Sequence, residues 1–175
     1  VPSATIRTCR AARRCFITCD GLIGLPPAGF LGSGFGAFGE GVGEKLTPTN
    51  PPEDWFVVLK PECNISSGKI FSAEGLTRDT PKIKIRPAFE GDASRYRNDC
   101  EDVVRKLYPE VNQSLEWLSQ FGPARLTGTG ACIFGRFPTE SAARIIWESK
   151  PSGITGFVAK GVNHSPLHKK LTELK

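Results

Sequence analysis

Methionine is absent from all 175 residues, and the chain opens on Val1. A primary translation product starts with Met, so the sequence reads as a processed chain or a piece of a longer one. Long apolar runs are missing too, and nothing approaches the ~20 apolar residues that a membrane-spanning helix needs. The stretch CFITCDGLIGLPPAGFLG superficially resembles a targeting peptide, but Asp20 and Pro26-Pro27 interrupt it and no small-residue cleavage pattern stands out. Histidine occurs only at His164 and His168, with Pro166 between them. In that polar segment they do not read as a metal pair, and nothing orders them against a serine for nucleophilic catalysis. The six cysteines (9, 15, 19, 63, 100 and 132) include no Cys-x-x-Cys. Zinc and iron–sulfur binding are therefore poorly supported, and a disulfide-stapled scaffold would be smaller and denser in Cys. Cys63, Cys100 and Cys132 read as reduced, half-buried small residues of a cytosolic protein.

What is present fits an ordinary soluble domain, with 39% hydrophobic and 23% charged residues. The net charge of +5 is unevenly placed, because Arg7, Arg10, Arg13 and Arg14 face only Asp20 within the first 35 residues. The remainder is nearly neutral, so the basic balance reflects an arm and not a binding face. Such an arm could touch phosphates non-specifically. Without RNA-recognition aromatics or zinc-knuckle spacing, nucleic acid is not the expected partner. Residues 1–35, rich in Arg, Cys and Gly without a sustained period, are expected to be an atypical, poorly ordered segment, and residues 36–175 one domain.

From Gly36 the pattern sharpens. The glycine-rich GFGAFGEGVGEKLTP predicts one or two short strands near a sheet edge. Trp55–Leu59 (WFVVL), bounded by prolines, predicts a buried strand. Ser66 or Ser67 can cap a short helix carrying Gly68, Lys69, Ile70 and Phe71. Residues 76–97 read as a mobile connection. Asn98-Asp99 then opens a helix with Val103, Val104 and Leu107 on one face and Pro109 stopping it. Val111, Leu115 and Leu118 mark the next helix, which Gly122-Pro123 ends. Strands are expected at Ala124–Thr127 and Ala131–Phe137, joined by the tight turn Gly128-Thr129-Gly130. Pro138-Thr139 starts a helix with Ala142, Ile145 and Ile146 inward, and Gly156–Gly161 forms a last strand. Segregated helices and antiparallel strands make this α+β, a small antiparallel sheet with helices on one side.

Two segments can carry chemistry. In Leu126-Thr127-Gly128-Thr129-Gly130-Ala131-Cys132 a strand turns through alternating glycines, exposing N–H groups with no Cβ to shield them. That concavity can hold a phosphate or rest against a phosphate-bearing loop; the same residues also make a plain glycine-rich turn. It is neither a Walker loop nor a complete GxGxxG. Ser66-Ser67-Gly68 with Phe71 could hold a base or a small polar ligand, or be a helix cap and a core Phe. Glu40 and Glu44 lie in a glycine-rich strand region and are not read as a helical pair.

AFGEGVGEKLTP (37–48), RLTGTGACIFGRF (125–137) and FVAKGVNHSPLH (157–168) together resemble the carboxyl half of the 4-diphosphocytidyl-2-C-methyl-D-erythritol kinase family of the GHMP kinase superfamily. RNDCEDVVRKLYPEV (97–111) strengthens the match, which runs from about Gly36 to Leu171. The resemblance implies a ferredoxin-like layer and ATP-dependent phosphorylation of a cytidine-diphosphate-linked methylerythritol, with Mg as the counter-ion of ATP. It places that step in the non-mevalonate route to isoprenoid precursors, in the bacterial cytoplasm or in plastids.

It further implies that Thr127, Gly128, Thr129, Gly130 and Ala131 support the phosphate-binding loop. Ser67, Gly68 and Phe71 would close over the cytidine, with Phe71 stacked on the cytosine. The family's P-x-x-x-G-L-G-G-G-S-S-type ATP loop and its catalytic Asp, in a Gly-Ala-Asp-Val-Pro-like segment, do not occur here; GLIGLPPAGFLGS stands where the Asp segment would be. No catalytic residue is thus expected in this chain, and an amino-terminal kinase domain becomes an expected partner. The alternative is a non-catalytic module that binds a nucleotide or a partner chain. No membrane association is expected.

Overall fold

The computed structural model describes residues 52–78 and 98–164, Lys170 and Glu173, and the backbone of four short strands nearer the N-terminus. Those strands form two separate antiparallel hairpins, β1 (Ala4–Arg7) with β2 (Phe16–Cys19) and β3 (Ala37–Glu40) with β4 (Lys45–Pro48). The strands expected around residue 40 thus form, but they pair with each other in a sheet of their own and not at the edge of the main one. The other residues of 1–35, most of the connection 76–97, Glu44 and His168 lie outside the described residues.

The main sheet is four-stranded and antiparallel, in the order β6 (Ala124–Leu126), β7 (Ile133–Phe137), β5 (Trp55–Lys60), β8 (Thr155–Lys160). Helices follow β5 and β7, which gives the split β-α-β-β-α-β connectivity of ferredoxin-like layers. β5 is central and buried on both faces from Phe56 to Leu59, because its apolar run has no polar position to present to water. Val57 and Leu59 face the helices, while Phe56 and Val58 share the opposite face with Phe134, Phe157 and Ala159 through the pairing register. On that face the Phe56 and Phe134 rings lie 6.1 Å apart, tilted by 53°.

Four helices are described: α1 (Ser67–Phe71), α2 (Asp99–Leu107), α3 (Pro109–Ser119) and α4 (Glu140–Glu148). Each start but one has a side-chain cap. Ser66 Oγ accepts from the Lys69 N–H, Asn98 from Cys100 and Thr139 from Ala142. α3 instead begins with Pro109, whose missing N–H is no loss at that position. The proline that ends α2 is therefore also the residue that opens α3.

One core joins Val57, Leu59, Leu126, Ile133 and Phe137 of the sheet to Ile70, Val103, Val104, Val111, Leu115, Leu118, Ala143 and Ile146 of the helices. Burying each large aliphatic chain contributes about 1.5–3 kcal/mol. Two inward expectations fail. Leu107 is 44% exposed, because α2 ends there and Tyr108, whose N–H caps the Val104 carbonyl, packs against the core in its place. In α4 the buried residues are Ala143 and Ile146, with Ala142 and Trp147 packed beside them, and Ile145 is 67% exposed. A residue one step along a helix lies about 100° around its axis, which takes Ile145 off that stripe.

Candidate functional site

The β6–β7 connection is longer than the three-residue turn expected from sequence. β6 ends at Leu126 and β7 begins at Ile133, so residues 127–132 form the loop. Thr127 closes its stem, since its N–H and its hydroxyl both donate to the Cys132 carbonyl, at 2.9 and 3.0 Å. The Gly130 N–H donates back to the Thr127 carbonyl at 2.7 Å. Gly130 sits in the left-handed region with φ +89°, and a Cβ there would lie 2.9 Å from Ile65 Cδ1 and 3.1 Å from Leu126 Cδ1. The backbone angle favours glycine, and a Cβ would in addition force the tips of the Ile65 and Leu126 side chains aside. Among the described residues, the N–H groups of Gly128, Thr129 and Ala131 have no hydrogen-bond partner.

The two segments singled out from sequence meet. Ser67 Oγ, at the first residue of α1, lies 2.8 Å from Thr129 Oγ1 at the head of the glycine turn, across 62 residues of sequence. Gly68 is exposed beside Ser67. Phe71, at the end of α1, is half-buried and packs against the core, and its carbonyl accepts a 2.7 Å hydrogen bond from Arg78. The site is an open surface of hydroxyls and backbone N–H groups. Two clefts lie elsewhere: one is lined by Glu110, Ser114 and Gly153 among others, the second by Lys60, Cys63 and Thr155 among others.

Sequence reasoning gave no site role to Asn98 and Glu101. Asn98 Nδ2 donates to the carbonyls of Leu126 and Gly128, at 3.1 and 2.7 Å, and a Glu101 carboxylate oxygen accepts the Leu126 N–H at 3.0 Å. The cap position of Asn98 was readable from sequence; the reach of its amide to a strand 28 residues away was not, because local pattern carries no information about it.

Cys63, Cys100 and Cys132 form no disulfide; Cys100 is fully buried rather than half-buried, and the other two are partly exposed. Burial pushes the Cys132 thiol pKa up, with Lys60 opposing and Cys63 adding to the rise. Cys63 is raised by burial and then by Glu110, again against Lys60. No group of three or more His, Cys, Asp or Glu among the described residues is placed to hold a metal, and none of their helices is long and apolar enough to cross a membrane. His164 is exposed.

Residues 84–149 match the family model described as GHMP kinases C terminal. The chain is 98% identical over 142 residues to the 4-diphosphocytidyl-2-C-methyl-D-erythritol kinase of Marinobacter nauticus, covering 81% of this chain and 50% of that protein. It is 52% identical over 139 residues to the kinase of the same name from Hahella chejuensis, covering 79% of this chain and 46% of that one. The crystal structure of a 4-(cytidine 5'-diphospho)-2C-methyl-D-erythritol kinase shares the fold with a TM-score of 0.65 at 22% identity, over 75% of this chain and 51% of that chain. The chain spans about half the length of the curated relatives it matches.

Proposed function

Because the C-terminal part of this chain is a GHMP kinase C-terminal domain, homologous to 4-diphosphocytidyl-2-C-methyl-D-erythritol kinases, we propose that it serves as the C-terminal half of an ATP-dependent kinase. The acceptor in this reading is a hydroxyl of a cytidine-diphosphate-linked methylerythritol, a step toward isoprenoid precursors in the bacterial cytoplasm. The observation that carries the reading is the 98% identity sustained over 142 residues. The contact between Ser67 and Thr129 supports it, since the cytidine-side and phosphate-side segments adjoin.

Phosphoryl transfer depends on positioning and on stabilising charge spread over phosphoryl oxygens. The donors of this half suit that work in part. Three turn N–H groups without a partner among the described residues, with the Ser67 and Thr129 hydroxyls, match the acceptor oxygens of a phosphoryl group. Phe71, half-buried at the end of α1, would flank the cytosine. ATP supplies the transferred phosphoryl group and brings Mg as its counter-ion. The proton-accepting Asp and the ATP loop of the family occur nowhere in the 175 residues, so both are assigned to an amino-terminal partner domain.

The test has two arms. The pure chain, given ATP, Mg and the diphosphocytidyl substrate, is expected to transfer no phosphate. A chimera in which the chain from Gly36 onward replaces the matching half of the Marinobacter nauticus kinase is expected to be active. A folded chimera without activity would overturn the proposal. The motif loss also favours a second reading, a non-catalytic module; tight binding of cytidine 5'-diphosphate by the chain alone, with an inactive chimera, would select it.

A further inference from the structure

Asn98 does two jobs that are separable by chemistry. Its side-chain oxygen accepts the Cys100 N–H at 3.1 Å, an ordinary N-cap that Asp, Ser or Thr could also provide. Only Asn adds an amide group with two donors, and both are used, on the carbonyls of Leu126 and Gly128. The residue is 9% exposed, so solvent has little access to replace those bonds. Glu101, in the same first turn of α2, takes the Leu126 N–H. The end of β6 is thereby fixed by α2 on both of its polar groups.

The bond to Gly128 has a further consequence. In a trans peptide the carbonyl and the next N–H lie in one plane and point in opposite directions. Holding the Gly128 carbonyl toward Asn98 therefore turns the Thr129 N–H away from α2. The bonds internal to the turn do not do this, because they use Thr127, Gly130 and Cys132 and leave the Gly128 peptide untouched. Thr129 is also the residue whose hydroxyl meets Ser67.

We propose that Asn98 is a positioning residue that sets the direction of the Thr129 N–H, presenting it beside Thr129 Oγ1 and Ser67 Oγ as a donor to a phosphoryl oxygen. The ligand half of this statement rests on the kinase reading above; the positioning half does not.

The test uses the full chain with Asn98→Asp. The carboxylate keeps the cap oxygen but sets negative charge against two carbonyls. When protonated it regains one O–H to donate, and burial beside carbonyls raises the pH at which it does so. The expected result is a displaced Thr129 amide resonance at pH 7.5 that returns toward its wild-type position as the pH falls to 5. The wild type stays constant, and Val111 and Leu115 amides report α3 unchanged in both. A purely structural cap would show no such pH profile. Asn98→Ser keeps the cap without the fork, so its Thr129 resonance is expected to be displaced at every pH; it also serves if the Asp variant does not fold. Thr129 amides that match wild type in either folded variant would overturn the positioning role. Cytidine 5'-diphosphate added to the wild type is expected to shift the Thr129 amide. No shift at saturating probe, with the Asn98 effects intact, would overturn the phosphoryl assignment alone.

Discussion

The connections 127–132 and 149–154 leave the same end of the sheet, where Leu59 pairs with both Ile133 and Gly156. Both contain a glycine in the left-handed region, Gly130 at φ +89° and Gly153 at φ +82°. Their surroundings are opposite. A Cβ at Gly130 would press on Ile65 and Leu126, whereas one at Gly153 would meet nothing within 4 Å. The first connection is bedded on the core and held by Asn98 at Gly128, with Glu101 fixing Leu126 just before it; the second crosses open surface after Pro151. The same backbone device thus makes a turn bedded on the core in one place and merely reverses the chain at the surface in the other. What distinguishes them is the support behind the turn.

The most forceful way to break the comparison is Gly130→Ala. Left-handed strain costs about 1–2 kcal/mol, and crowding a packed core adds about 1–3 kcal/mol. The expected loss is about 3 kcal/mol, on the order of 10 °C in melting midpoint for a chain of this size. A double-mutant cycle with Ile65→Ala sharpens the cause. Removing the Cδ1 that the new methyl would strike should return about 1 kcal/mol of coupling, while the strain remains. A cycle with zero coupling would show that the turn relaxes freely and is not bedded on Ile65.

How much of this contrast is legible in the sequence follows from what each signal measures. WFVVL announces a buried strand because five apolar residues leave no solvent face, and β5 is that strand. Asn98, Thr139 and Ser66 announce helix starts because a cap bonds only two or three residues ahead. Ile145 misleads because apolarity is read by counting, whereas burial depends on which side of α4 meets the sheet; half-buried Trp147 marks that side better. The glycines of 127–132 are visible as a turn, and resemblance gives them a role. Their support is not visible, since Asn98, Glu101 and Ile65 come from elements 25 to 65 residues away. Gly153 and Gly130 are equivalent letters until the fold places a neighbour beside one of them.

Gly153→Ala is the matched control. Its strain is the same in kind, about 1 kcal/mol, and there is no neighbour to strike. Urea unfolding should show a loss about a third of that at Gly130, and Ile65→Ala should not alter it. A loss as large as that of Gly130→Ala would mean that position 153 is supported by contacts of its own, and the contrast between the two connections would fail.

The smallest effect expected is one of pH. Cys132 stands at the foot of the supported connection, and Cys63 lines the cleft beside Gly153 and Thr155. Both thiols are pushed above the ordinary value, chiefly by burial. Below that value both folded and unfolded chains carry neutral thiols, and no stability difference arises. As the pH rises past about 8.5 the unfolded thiols ionise first, so stability falls until the folded thiols follow. In reducing buffer, the drop in urea midpoint between pH 7.5 and pH 9.5 should shrink on Cys132→Ala. Other groups titrating in that window are common to both proteins and cancel in the difference. An undiminished drop would mean that water reaches Cys132, and that the foot of the glycine turn is as open as the surface around Gly153.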